Sequence, residues 1–287
     1  MIIDPAKIKK GDLPEIPIEE VKQLILKTHE EIFSLRFQLK NKMHNLGPEI
    51  FSKFLRDAII LNADLLLSLT RISHTFINSV NILCRTFLEM NVDYLWAYSF
   101  YLKDKKNGET LAKRFYQIGR DNFLKMSSSF ERISEKDPYL SHINIKLDIQ
   151  RAESEDYIQL IDSSETNEGL LSIQKYDWRA APTLITKAKD INFRSRAKIA
   201  AEVAEKICNL KAAPYIENWQ LLNSFTHPSS MQYKEIEESI SKKLYCRNLH
   251  IHLGFMHDMI QVLCDYMQIL PNSGIREIRM RMNYMSL

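Results

Sequence analysis

The chain has 287 residues, 45% of them hydrophobic and 26% charged, a globular composition long enough to bury a large core. Its net charge of +3 and pI near 8.5 fall short of the strongly basic signature of a dedicated nucleic-acid binder, and neither demand nor exclude RNA. Only 7 glycines and 9 prolines punctuate it, which argues against a sheet of many short strands and for long helices.

Residues 1–17, with Pro5, Gly11, Pro14 and Pro17, read as an extended N-terminal arm. No basic region followed by an apolar stretch opens the chain, so no secretory signal is expected. From Ile18 a helix carries Val21, Leu24, Ile25, Ile32, Leu35 and Leu39 on one stripe. Gly47-Pro48 ends it and starts a second helix, about Glu49 to Ile72, apolar around most of its circumference and therefore central. A third helix is expected over Thr75–Leu102, then a polar loop over Asp104–Gly108, then a fourth helix over about Glu109–Ile133. A more polar helix follows to Ile161, and residues 162–169 form the clearest loop of the chain. Helices resume at about Thr183–Ala188, Arg194–Leu210 and Tyr215–Phe225, and a long one covers about Lys234–Leu270. Residues 271–287 are a basic tail that can dock as a short helix, bind a partner or fray.

The expected fold is all-α: a single multi-helix bundle over residues 18–270, built from long antiparallel helices, with the loop 162–169 between its halves. No apolar run reaches membrane-spanning length, because Asp64, Glu89 and Asp93 interrupt the best stretches. Cys84, Cys208, Cys246 and Cys264 are far apart with no C-x-x-C spacing, the pattern of buried free thiols in a reducing cytoplasm.

Three polar constellations interrupt apolar helical runs. Arg85 and Glu89 stand four residues apart, so their side chains share a helix face and can pair, and Asp93 continues that face. They form an internal salt-bridge ladder, a solvated stripe, or a site in which Glu89 orients Arg85 toward an anion such as phosphate, which suits the planar guanidinium fork. The second is Asn223-Ser224-Phe225-Thr226-His227-Pro228, where an imidazole closes a helix before a proline. His227 is a candidate proton carrier or a helix-end hydrogen-bonding group. Ser224 lies one turn from it, without the glycine-framed elbow of a serine hydrolase. The third is Arg247-Asn248 with His252. Positions five apart on an ideal helix diverge by about 140°, so this pair forms a joint site only if the helix starts, bends or pairs there; otherwise it is a mixed solvated face. Cys246 and His250 have zinc-compatible spacing but no matching second pair, so no metal is expected, and the absence of glycine-rich loops leaves no cofactor expected either.

Arg85-Thr86-Phe87-Leu88-Glu89 with Asp93-Tyr94, Trp178, and Asn223 through His227-Pro228-Ser229 resemble a bacterial domain-of-unknown-function family, number 5677, over roughly residues 50–265. The resemblance implies an all-helical cytoplasmic protein. A wider likeness is to the HEPN (higher eukaryotes and prokaryotes nucleotide-binding) superfamily, whose active members are helical, often dimeric ribonucleases of toxin and antiphage systems. Their motif is an Arg, usually followed by Asn, Asp or His, with a His four to six residues beyond the Arg. Arg247-Asn248 to His252 has that pattern; Asn223 to His227 has the Asn–His spacing with Leu222 where the Arg would stand, and Arg85 is a cation that another helix could supply. The resemblance implies His227, Arg247 and His252 as catalytic candidates, with Arg85, Glu89, Asp93, Trp178, Asn223, Ser224 and Asn248 as binding candidates, acting on RNA in a homodimer away from membranes. The other class is a non-catalytic binding or dimerisation module in which Arg85, Glu89 and His227 fix helix register.

Overall fold

The computed structural model describes residues 17–46, 50–134, 177–181, 184–185, 188–208, 215–226, 238–271 and 273–285, without the side chains of residues 36, 37, 39–46, 120, 121, 123–134, 188, 224–226, 240 and 280–285. Among the described residues there are eight α-helices and no strand, so the fold is all-α. The helices are α1 (Ile18–Leu46), α2 (Ile50–Arg71), α3 (Ile77–Lys103), α4 (Lys105–Ser134), α5 (Phe193–Cys208), α6 (Tyr215–Thr226), α7 (Glu238–Tyr266) and α8 (Ser273–Met285). The chain divides into two compact units: one runs to Ser99 and resumes at Arg196, and the other is Phe100–Ser195. The N-terminal arm 1–16, the polar helix to Ile161 and the loop 162–169 lie outside the described residues.

In the first unit, side-chain contacts fix the direction of every principal helix. Pro17 O accepts from Glu20 N at 3.0 Å to open α1, and Glu19 and Glu20 complement the positive end of its dipole. Val21, Leu24, Ile25, Ile32 and Leu35 are buried as the stripe requires; the side chain of Leu39 is outside the described residues. His29 meets Asp64 at 3.1 Å, so α2 returns antiparallel along α1. Phe51 stacks on Tyr98 at 6.4 Å and Phe54 on Tyr94 at 6.4 Å, so α3 reverses again. Each such aromatic pair adds about 0.5–1.5 kcal/mol beyond burial.

α7 breaks the antiparallel pattern. Asn248 Nδ2 donates to Asn81 Oδ1, Asn91 Nδ2 to Phe255 O, Tyr94 OH to Met259 O and Tyr98 OH to Asp265 Oδ2, and His252 Nε2 lies 2.9 Å from Cys84 O. The sequence separation across these five contacts stays between 164 and 168 residues. A constant offset means that α3 and α7 run parallel and in register, side by side. Thr28 against His257 and Lys22 over the Tyr245 ring place α1 parallel to α7 as well.

The basic tail is helical and docked: α8 packs against α1 and α7, burying Ile275 and Ile278. α7 ends in a two-bond C-terminal cap, with Gln268 N to Asp265 O and Ile269 N to Cys264 O both at 3.0 Å and Gln268 in the left-handed region at φ 52°.

In the second unit, the polar loop expected over Asp104–Gly108 contracts to Asp104. Its carboxylate accepts from Lys106 N at 2.9 Å and its carbonyl from Asn107 N at 3.0 Å, so α4 starts immediately. Gly108 is thereby drawn against Tyr101, where a Cβ would stand 2.8 Å from Tyr101 Cβ. Of the helix expected over Thr183–Ala188, Leu184 and Ile185 lie in a turn closed by their N–H groups on Ala181 O, and Ala188 opens a 3-10 segment, Ala188–Ile191; residues 183, 186 and 187 lie outside the described residues.

Candidate functional site

Successive i, i+4 steps along a helix rotate by about 40°, so the face that carries Arg85, Glu89 and Asp93 winds from the rim of the bundle into it. Arg85 and Glu89 have side chains 28% and 35% exposed, and Asp93 only 9%. Arg85 Nε donates to Glu89 Oε1 at 3.0 Å. Trp219 of α6 donates its indole N–H to the same oxygen at 3.0 Å, and the Arg85 guanidinium lies 5.8 Å from the centre of the Trp219 ring. The guanidinium is thus held by a carboxylate on its own helix and an aromatic face from another. A half-exposed ion pair contributes up to about 1 kcal/mol, and a cation–π contact roughly 0.5–1 kcal/mol at such a site.

One turn deeper, Asp93 pairs with Arg196 of α5, both buried. Burial pushes the Arg196 guanidinium down to about 10, against the opposing pull of Glu89. Removing one partner of such a pair strands the other charge, at a cost of about 3–5 kcal/mol.

α6 lies antiparallel to both α3 and α7. Its Tyr215 hydroxyl donates to Asp258 at 3.2 Å, its Asn218 accepts from Arg247 Nη2 at 2.8 Å, and its Trp219 reaches Glu89. Consecutive residues of one short helix therefore hold an arginine on each side: Asn218 fixes Arg247, and Trp219 packs on Arg85. Asn223 is half-buried one turn beyond Trp219 on the same face. Ser224 lies in the last turn of α6 with its side chain outside the described residues, and His227 is outside them altogether.

The Arg247–Asn248–His252 constellation is divided by the helix that carries it. α7 runs uninterrupted from Glu238 to Tyr266, so the divergence expected of positions five apart is realised. Arg247 is exposed, while Asn248 and His252 are 2% and 1% exposed. Asn248 is spent on Asn81. The His252 ring is wedged edge-on between Phe87 and Phe255, and its two nitrogens face main-chain carbonyls, Asn248 O at 2.7 Å and Cys84 O at 2.9 Å. Burial pushes its pKa down to about 4. The sealed ring of His252 and the solvent-facing Arg247 do not make one reactive centre.

Trp178 belongs to the second unit. Its ring meets Phe115 edge-on at 5.3 Å, and the Arg179 guanidinium lies 5.3 Å from its centre. All four cysteines are free and buried, and no cluster of three metal-ligating side chains occurs among the described residues. No helix among them is long and apolar enough to cross a membrane.

Sequence reasoning missed Trp219, Asn218 and Arg196. Asn218 and Trp219 sit in an apolar helix where a tryptophan reads as core. The available signal was spacing: Trp219 is four residues before Asn223, so both share the helix face that leads to His227. No family model, no curated protein and no solved structure matches the chain.

Proposed function

We propose that the chain is a cytoplasmic, metal-independent endoribonuclease of the HEPN type, working in a toxin or antiphage system as a homodimer, with its centre on α3 and α6 around Arg85 and Glu89 rather than at Arg247 and His252. The observation that carries this reading is the guanidinium of Arg85, fixed by Glu89 and Trp219 and still partly exposed. In the reaction, a ribose 2′-OH attacks the adjacent phosphate, the P–O5′ bond breaks, and a 2′,3′-cyclic phosphate and a 5′-hydroxyl form. Arg85 offsets charge developing on the phosphate oxygens, Asn223 binds the substrate strand, and His227 takes the proton from the 2′-OH and returns one to O5′. The role of His227 rests on its place in the sequence motif.

A second reading has its own observation. Arg85, Glu89, Asp93 and Arg196 each have a partner within the bundle, as befits a non-catalytic binding or dimerisation module whose polar network sets helix register. Structured RNA incubated with purified protein in EDTA separates the two. The ribonuclease reading expects cleavage that His227→Ala abolishes and Arg247→Ala leaves within about tenfold. Intact RNA after incubation with well-folded wild-type protein selects the module.

A further inference from the structure

Arg247 of α7 is exposed, yet a buried group holds it. Its Nη2 donates at 2.8 Å to Oδ1 of Asn218 on α6, and Asn218 is 2% exposed. Ordering a long side chain loses rotamer entropy, and an arginine that only meets solvent needs no such anchor. The bond also docks α6, but it uses one of five guanidinium N–H donors and leaves the charge uncompensated. No carboxylate of the described residues, Glu217 of α6 included, forms an ion pair with Arg247. Lys243 lies one turn earlier on the same face of α7. It is exposed and likewise has no carboxylate partner among the described residues. The adjoining face of α7 turns inward with Asn248 and His252, so the two cations stand together at the rim.

On the other flank of α6, Arg85 is held by Glu89 and by Trp219, the residue next to Asn218. α6 is therefore a ridge with an anchored guanidinium on either side. A helix with its side chains is about 10–12 Å across, so one phosphate cannot touch both arginines. A stacked strand rises about 3.4 Å per nucleotide, so phosphates roughly three nucleotides apart can. We propose that Arg247 and Lys243 form a second phosphate subsite, which holds an RNA strand across α6 about three nucleotides from the phosphate at Arg85. This subsite presupposes that Arg85 meets an RNA phosphate. A single strand is the ligand that fits, because occupying both flanks at once takes a polyanion with regularly repeated charges. Phosphate contacts give affinity and register but carry no base sequence. The subsite thus sets a minimum substrate length and no sequence preference.

Fluorescence anisotropy with a 2′-O-methylated single-stranded oligoribonucleotide in EDTA reads binding without cleavage, because the attacking hydroxyl is blocked. For single strands, log affinity falls against log salt with a slope of about 0.7 per phosphate contact. The double variant Lys243→Ala, Arg247→Ala should bind roughly tenfold more weakly at about 100 mM salt and lose about 1.4 of that slope. Arg247→Lys, which keeps the charge without the fork, should retain most of the slope. Both positions are exposed, and Tm measured on the same samples checks that the variants are folded. A double variant that matches wild type in affinity and slope, while Arg85→Ala weakens binding, overturns the subsite and leaves the role of Arg85 standing. Wild-type protein that binds no RNA overturns both.

Discussion

His252 has one ring hydrogen, when neutral, for two carbonyl acceptors. A second proton would satisfy both, but burial opposes the charge, as does nearby Arg247. His257 is a related case: Thr28 gives its hydroxyl hydrogen to Leu24 O at 2.8 Å, so the imidazole must donate through Nε2, which leaves Nδ1 as a buried acceptor. Burial pushes His252 down to about 4 and His257 to about 3, from 6.5. Histidines depressed in the folded state contribute stability above pH 6.5 and lose it as pH falls through the folded values, on the order of 3–5 kcal/mol each. Asp258, whose carboxyl burial pushes up from 3.8 to about 7, works against this over part of the range, but two histidines outweigh one carboxyl. The urea midpoint should therefore drop steeply between pH 6.5 and 4.5. It should drop less in His257→Gln, whose amide can still donate to Thr28; parallel curves would show that this imidazole does not carry the acid sensitivity. None of this was legible in sequence, where His252 reads as a partner of Arg247. Angular divergence was predictable from spacing, but which of the two faces the core was not.

At the scale of elements, α7 ends where a non-glycine residue adopts φ 52°. The left-handed region costs an L-residue about 1–2 kcal/mol, and glycine returns part of that gain through its larger unfolded-state entropy. Gln268→Gly should stabilise the protein by roughly 0.5–1 kcal/mol, read as a rise in the denaturant midpoint with an unchanged slope. A fall would mean that the Gln268 side chain contributes more than the backbone strain costs. Sequence placed the ends of α2, α3, α5 and α6 within two residues, because apolar periodicity and breakers coincide there. It mistook Asp104–Gly108 for a loop, because an aspartate that caps a helix and one that opens a loop look alike until the next turn is known to be helical.

Across the whole molecule, the parallel pairing of α3 with α7 positions the candidate site. It puts Arg85 and Arg247 on two neighbouring helices, and α6 descends antiparallel to both, placing Trp219 against one and Asn218 against the other. Helical content was readable from local pattern, whereas this pairing joins segments more than 160 residues apart and no local signal encodes it. The same distance explains why the Arg85–Glu89 pair was legible and its Trp219 partner was not.

On the proposed ribonuclease reading, Arg85, oriented by Glu89 and Trp219, acts on RNA phosphate and does more than hold helices together. Single-turnover cleavage of structured RNA in EDTA, with melting temperature measured on the same preparations, tests it through Arg85→Lys. That variant keeps the charge and loses the fork. A rate at least about a hundredfold lower with Tm within roughly 3 °C of wild type is the predicted result. Wild-type and Arg85→Lys proteins that cleave equally, or a Tm loss without any wild-type cleavage, would contradict it.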